Sequence, residues 1–234
     1  MPNNEHTSKQ FDADLEDIRS RVLQMGGLVE MQLMAAIEGL STGGDEVISR
    51  VIDTEHRVND HEKEIDDACV HVVARRQPAA SDLRLIMSVS KIVTDLERIG
   101  DEAEKIARMA RQIYGRGALT IPRSIDVRQT GNKAAMMLRR VLDAMARLDA
   151  ADAEKIIVED KLIDTEFRAI VRQLITYMME DPRTISASLD LVFLAKAIER
   201  IGDHAKNIGE LIIYIVKGAD VRHASMEDIE SAVK

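Results

Sequence analysis

The sequence predicts an all-α protein made of two tandem, sequence-related antiparallel three-helix bundles, six long helices in all. Three observations carry this. The pentapeptide Glu-Arg-Ile-Gly-Asp occurs twice, at 97–101 and at 199–203, so the chain holds two related halves. Of its 234 residues 45% are hydrophobic but only 3% aromatic, with 12 Met and no Trp, which suits helices packed through aliphatic side chains. Apolar residues in both late segments alternate steps of four and three. Leu85, Val89, Ile92, Leu96, Ile99, Ala103, Ile106, Ala110 and Ile113 form one such seam; Ile198, Ile201, Ala205, Ile208, Ile212 and Ile215 form the other.

A first helix is expected over 11–40, stopped by Ser41-Thr42-Gly43-Gly44. Gly26 and Gly27 inside it each weaken a helix by roughly 1 kcal/mol relative to Ala, so a kink or a close helix contact is expected there. The second helix, 45–76, ends at Gln77-Pro78-Ala79-Ala80, and Ser81 is expected to cap a third over 82–114. Gly115, Gly117 and Pro122 mark the linker, dividing the chain into a first unit of 1–117 and a second of 118–234. A fourth helix is expected over 124–148, a fifth from the break at 149–152, and a sixth opened by Asp181-Pro182 and running to Lys217, with Gly218 behind it. The remaining short tail is mostly polar.

Composition excludes several functions. The net charge is −9, which argues against a nucleic-acid-binding surface. The polar N-terminus lacks a signal-peptide core, and no stretch reaches the roughly 18 apolar residues that span a bilayer, so no direct membrane insertion is expected. The lone cysteine, Cys69, fits a reducing cytosol and reads as an inert core thiol.

Each pentapeptide places two carboxylates four residues apart, Glu97 with Asp101 and Glu199 with Asp203, side by side on a helix. Taking the seam as a heptad puts them beside or outside it, where side chains are ordinarily solvated. Two features favour a cation site instead. Gly100 and Gly202 sit mid-helix at matching places, where they weaken the helix unless something needs the room. Hairpin register also brings an oxygen-rich stripe of Glu55, Asn59, Glu62 and Asp66 level with the first pair, and Asp160 and Asp164 level with the second. Four carboxylates that close raise one another's pKa unless a cation intervenes. Lys161, Arg98 and Arg200 can neutralise them as ion pairs, which keeps a purely structural reading open. An oxygen-only set suits Mg²⁺, Ca²⁺, Mn²⁺ or oxidised iron, and His204 is a weaker candidate that points about 100° away.

No catalytic apparatus is legible. The Glu-x-x-His pairs of di-iron oxidases are absent, as are a P-loop, a nucleophile elbow and HExxH, so no enzymatic activity is expected.

The two pentapeptides, each on the last helix of a three-helix unit, together with Arg75-Arg-Gln-Pro-Ala-Ala-Ser-Asp-Leu-Arg84 and Val216-Lys-Gly-Ala-Asp-Val-Arg-His223, resemble the PhoU family over essentially the whole chain. That resemblance implies a cytoplasmic negative regulator of the phosphate-starvation response. Such a protein couples the ATPase of a phosphate ABC transporter to a membrane sensor histidine kinase, and is often a homodimer. It also implies metal ions, iron, zinc, Mg²⁺ or Mn²⁺, at one E(D)xxxD motif per bundle: here Glu97/Asp101 and Glu199/Asp203. Lys105 against Asn207, and Asp95 against Ala197, would make the two sites differ if those positions contribute ligands. A metal-independent helical adaptor and a metal-storage protein are the competing readings.

Overall fold

The computed structural model describes residues 9–115 and 127–234. Among these, every regular element is helical: α1 Lys9–Thr42, α2 Asp45–Arg76, α3 Ala80–Gly115, α4 Val127–Arg147, α5 Ala150–Glu180, a 3₁₀ turn Pro182–Thr184, α6 Ile185–Lys217 and α7 Met226–Val233. The first six α-helices match the expected six. The division at 117/118 and the start of the fourth helix lie outside the described residues.

Helix ends follow local chemistry. Gln77 takes a left-handed conformation (φ 48°) and closes α2 with its N–H on the Val73 carbonyl. Ser81 does not cap α3: the first turn is closed by Leu83 N–H on the Ala79 carbonyl at 2.8 Å, which draws Ser81 inside the helix. Asp149 caps α5 by accepting from the N–H groups of Ala151 and Asp152. Asp181 caps the 3₁₀ turn rather than an α-helix, and α6 proper starts at Ile185. Gly218 ends α6 at φ 75°, a conformation that glycine adopts without a Cβ penalty.

The polar tail, for which the sequence reading names no element, contains a helix. Ser225 and Asp228 form a reciprocal capping box that starts α7, and Ile229 is buried where α7 lies on α5 and α6.

The two bundles do not merely follow each other; they share one hydrophobic core. The most extensive helix contact in the molecule is α3 against α6, and α1 meets α4. Asp95 pairs with His204, Glu102 with Arg200, and Arg84 lies against Gly218. These pairs make α3 and α6 antiparallel and bring Ile99 level with Ile201. Helices α1, α3, α6 and α4 thus form a central ring. Helix α2 covers α1 and α3 on one flank, and α5 covers α4 and α6 on the other.

Gly26 explains itself here. A β-carbon at Gly26 would lie 2.3 Å from Leu142 Cδ2, so this glycine allows α1 to approach α4. Gly27 has nothing within 4 Å.

Candidate functional site

Because α3 packs against α1, α2 and α6, its buried arc is wider than one heptad seam. The same holds for α6. The repeated carboxylates are therefore not a solvated face. Glu199 is only 9% exposed, Glu97 is largely covered, and Asp101 and Asp203 are half-buried. They face α2 and α5, in the two flanking grooves.

The hairpin registers hold. In the first groove Ser90 donates to Asp66 at 2.7 Å, and Gly100 faces Glu55 and Val58. A β-carbon at Gly100 would lie 2.9 Å from Glu55 Oε2 and 3.1 Å from Gln32 Oε1. In the second, a β-carbon at Gly202 would lie 3.1 Å from Asp160 Oδ1 and 3.1 Å from Ile163 Cδ1. Each mid-helix glycine thus makes room for a buried carboxylate on the neighbouring helix.

Glu55, Glu62, Glu97 and Asp101 line the first groove. Glu55 is 5% exposed and accepts from Gln32 Nε2 at 2.8 Å. Gln32 Nε2 also donates to the Val51 carbonyl, so two acceptors fix that atom as the nitrogen. Gln32 Oε1, Glu55 Oε1 and Glu97 Oε2 are buried without a hydrogen-bond donor. Arg98 is the nearby cation, 3.4 Å from Glu97 and 3.1 Å from Asp101, and is half-exposed. Burial pushes the carboxyls of Glu55, Glu62 and Glu97 above the usual range. The negative charges of Asp66 beside Glu62 and of Asp101 beside Glu97 add to it.

Asp160, Asp164, Glu199 and Asp203 line the second groove. Asp160 is 3% exposed, and its pKa is pushed up to about 6, chiefly by burial; Lys206 opposes that rise, while Asp203 and Asp164 add to it. Lys206 Nζ is 3.4 Å from Asp160 Oδ2. Lys196 pairs with Glu199 and sits over the Phe167 ring, 5.5 Å from its centroid. Arg168 is 3.8 Å from Asp164.

His204, expected about 100° away from the carboxylates, does turn away from them and contacts Asp95 of α3 at 2.8 Å. Other flanking residues depart from expectation. Arg200 reaches Glu102 rather than its own motif. Lys105 pairs with Glu102 within α3, while Asn207 donates to Asp95 across the contact between repeats. Lys196, Lys206, Gln32 and Phe167 went unread. The lysines stand three residues from Glu199 and Asp203, a spacing that brings them onto the same face.

The first groove is lined by oxygen atoms of the kind that hard cations prefer, whereas the second also holds the ammonium groups of Lys196 and Lys206. Among the described residues, no three Asp, Glu, His or Cys side chains converge at metal-binding distance. Residues Glu55, Glu62, Glu97 and Asp101 would hold a cation in the first groove. Also among the described residues, no helix is long and apolar enough to cross a membrane.

Comparison with known proteins agrees with this architecture. A family model described as the PhoU domain matches residues 22–110 and again 127–212. A curated Pseudomonas aeruginosa relative, the phosphate-specific transport system accessory protein PhoU homolog, is 48% identical over 230 residues, covering 98% of this chain and 94% of its own. The Escherichia coli (strain K12) phosphate-specific transport system accessory protein PhoU is 47% identical over 227 residues, covering 97% and 93%. The crystal structure of PhoU from Pseudomonas aeruginosa superposes with a TM-score of 0.86 at 48% identity, over 89% of this chain and 100% of that one. The phosphate transport system regulatory protein PhoU from Streptococcus pneumoniae gives a TM-score of 0.83 at 27% identity, over 90% and 99%.

Proposed function

We propose, since this chain belongs to the PhoU family, that it is a regulatory accessory protein of phosphate transport whose docking surface is held together by bound cations. In this reading it works in the cytoplasm, as a homodimer. It links the ATPase subunit of a phosphate ABC transporter to a membrane sensor histidine kinase and keeps the starvation response off when phosphate is plentiful. The curated relatives' names support the link to phosphate transport.

The observation that carries the cation reading is the pair of buried oxygens without donors where Gln32 and the Glu55 carboxylate face Gly100: Gln32 Oε1 and Glu55 Oε1. Leaving such groups unmatched costs free energy, and a hard cation (Mg²⁺, Mn²⁺, iron or zinc) would supply positive charge there. Glu55 and Glu62 stand on α2, and Glu97 and Asp101 on α3, so a cation held between them would tie the two helices together. Docking partners that touch both helices would then sense whether the groove is filled.

One measurement tests the link from site to function. A chain carrying Glu97→Ala, Asp101→Ala, Glu199→Ala and Asp203→Ala is expected to lose metal in elemental analysis and to release starvation genes in phosphate-rich medium. Normal repression by a folded, metal-depleted variant would separate the sites from the switch. The ion pairs made by Arg98, Lys196 and Lys206 favour the second reading, a metal-independent adaptor, which predicts that outcome.

A further inference from the structure

The two grooves are related by the internal repeat, and the relation can be traced residue by residue. A shift of 105 carries Gly26 onto Gly131 and Ile37 onto Leu142. These four residues make the two matching close contacts between α1 and α4, Gly26 on Leu142 and Gly131 on Ile37. The same shift carries Glu55 onto Asp160 and Val58 onto Ile163, the residues that face Gly100 and Gly202. On α3 and α6 the shift is 102, from Glu97 to Glu199.

Under these shifts the carboxylates of the pentapeptides match, but the residues around them do not. Gln32, whose Oε1 is buried without a donor at 2% exposure, becomes the buried Met137. Glu62 becomes Phe167. Thr94 becomes Lys196, which pairs with Glu199. Glu104 becomes Lys206, which pairs with Asp160. Each of these four exchanges removes an oxygen donor or adds an ammonium group; one exchange runs the other way, Asn59 to Asp164, and the added carboxylate is 3.8 Å from Arg168.

The consequence is visible in which oxygens lack a partner. The first groove has two buried side-chain oxygens with neither a donor nor a cation beside them, Gln32 Oε1 and Glu55 Oε1, and a third, Glu97 Oε2, met only by Arg98 Nε at 3.4 Å; the second has one, Asp160 Oδ1. The cations differ as well. Arg98 in the first groove is 51% exposed, and Lys196 and Lys206 in the second are 44% and 36% exposed, so the cations differ in what they touch rather than in burial. In the second groove Lys206 reaches the buried Asp160, and Lys196 is held between Glu199 and the Phe167 ring.

We propose that the two motifs are not equivalent: the groove of Gln32, Glu55, Glu62, Glu97 and Asp101 takes one hard divalent cation, whereas in the second repeat the ammonium groups of Lys196 and Lys206 stand in the cation's place and keep the motif metal-free. This rests on the cation reading above and adds a stoichiometry to it. The second motif is then a permanently closed half, and only the α2–α3 groove responds to metal supply.

Equilibrium dialysis of the full chain against Mn²⁺ alone, with free Mn²⁺ read by electron paramagnetic resonance, tests this. Circular dichroism checks that each variant is folded. The expected result is one tight Mn²⁺ per chain. Glu55→Gln with Glu97→Gln weakens it at least tenfold, and Asp160→Asn with Glu199→Gln leaves it within twofold. Lys196→Thr with Lys206→Glu adds a second ion. Two equal sites in the parent chain, or loss of the tight ion in the Asp160/Glu199 variant, overturns the inequivalence while leaving the cation reading intact. No second ion in the folded lysine variant overturns the role given to the lysines. No Mn²⁺ bound by any folded form overturns the cation reading itself.

Discussion

The α-carbon of Gly100 stands directly over the Glu55 carboxylate, so close that one added methyl group would fall 2.9 Å from Oε2. A glycine that weakens its own helix is thereby tied to a buried acid 45 residues earlier in the chain. Gly202 stands in the same relation to Asp160.

Replacing glycines separates room from propensity. Gly27→Ala meets nothing within 4 Å, so it is expected to stabilise the protein by about 0.5–1 kcal/mol through helix propensity. Gly26→Ala gains the same propensity but drives into Leu142, and is expected to be destabilising overall. Gly100→Ala displaces Glu55 and Gln32, and is expected to lower Mn²⁺ affinity even where stability is retained. Urea unfolding of the three variants, with metal binding for the last, checks this. A stabilised Gly26→Ala would contradict the α1–α4 contact.

Cys69 is expected to be chemically silent. Burial pushes its thiol up to about 11, from an ordinary value of 9.0, with the charge of Asp66 adding to it. At pH 8 the folded chain then holds roughly 100-fold less thiolate than the unfolded chain, and its reaction with a disulfide reagent should slow by at least about that factor. The sign for stability follows from the same shift. Above pH 9 the unfolded thiol ionises while the folded one keeps its proton, so stability falls between about pH 9 and 11. Cys69→Ala should remove that part of the alkaline decline. Fast labelling of the native protein would show that the site opens.

The contact between repeats has a polar component that can be measured on its own. Asp95 accepts from both His204 and Asn207, at 2.8 Å and 3.2 Å, where α3 crosses α6. A double-mutant cycle with Asp95→Asn and His204→Gln should give a coupling of about 1 kcal/mol. These residues face away from the grooves, so Mn²⁺ affinity should stay within twofold. A metal defect in His204→Gln would return this histidine to the ligand set.

Helix α7 offers a test of the tail. Ser225→Ala removes the reciprocal cap and is expected to cost about 1 kcal/mol, read as faster hydrogen exchange over residues 226–233. Ile229→Ala, at a residue 2% exposed, should loosen the same segment and the part of α5 beneath it. Unchanged exchange in both would mean that α7 is not docked.

The six long helices were legible because their signals are local: seams of Ile, Leu and Val, and stops at Gly43, Pro78, Asp149 and Gly218. Helix α7 was not. With only Ile229 buried in eight residues, it is too short to show a period, and its Ser225–Asp228 cap was the only sign. The carboxylate pairs were legible because identical strings repeat, and their partners on α2 and α5 because a hairpin fixes register by counting from its turn.

What the sequence by itself determined is therefore the helical class, the duplication, and which acids share a groove, since each follows from short-range geometry. What only the tertiary structure decided is where the flanking polar residues point. Arg98, Arg200, His204, Lys196 and Lys206 all lie within four residues of a repeated carboxylate. Two of them turn to the other repeat, Arg98 and Lys196 turn to their own motif, and Lys206 turns to Asp160 on the neighbouring helix of its own repeat. A helix buried against three neighbours has no single inner face, so spacing along it cannot choose between them. The antiparallel meeting of α3 and α6 makes that choice, and with it the difference between the two motifs.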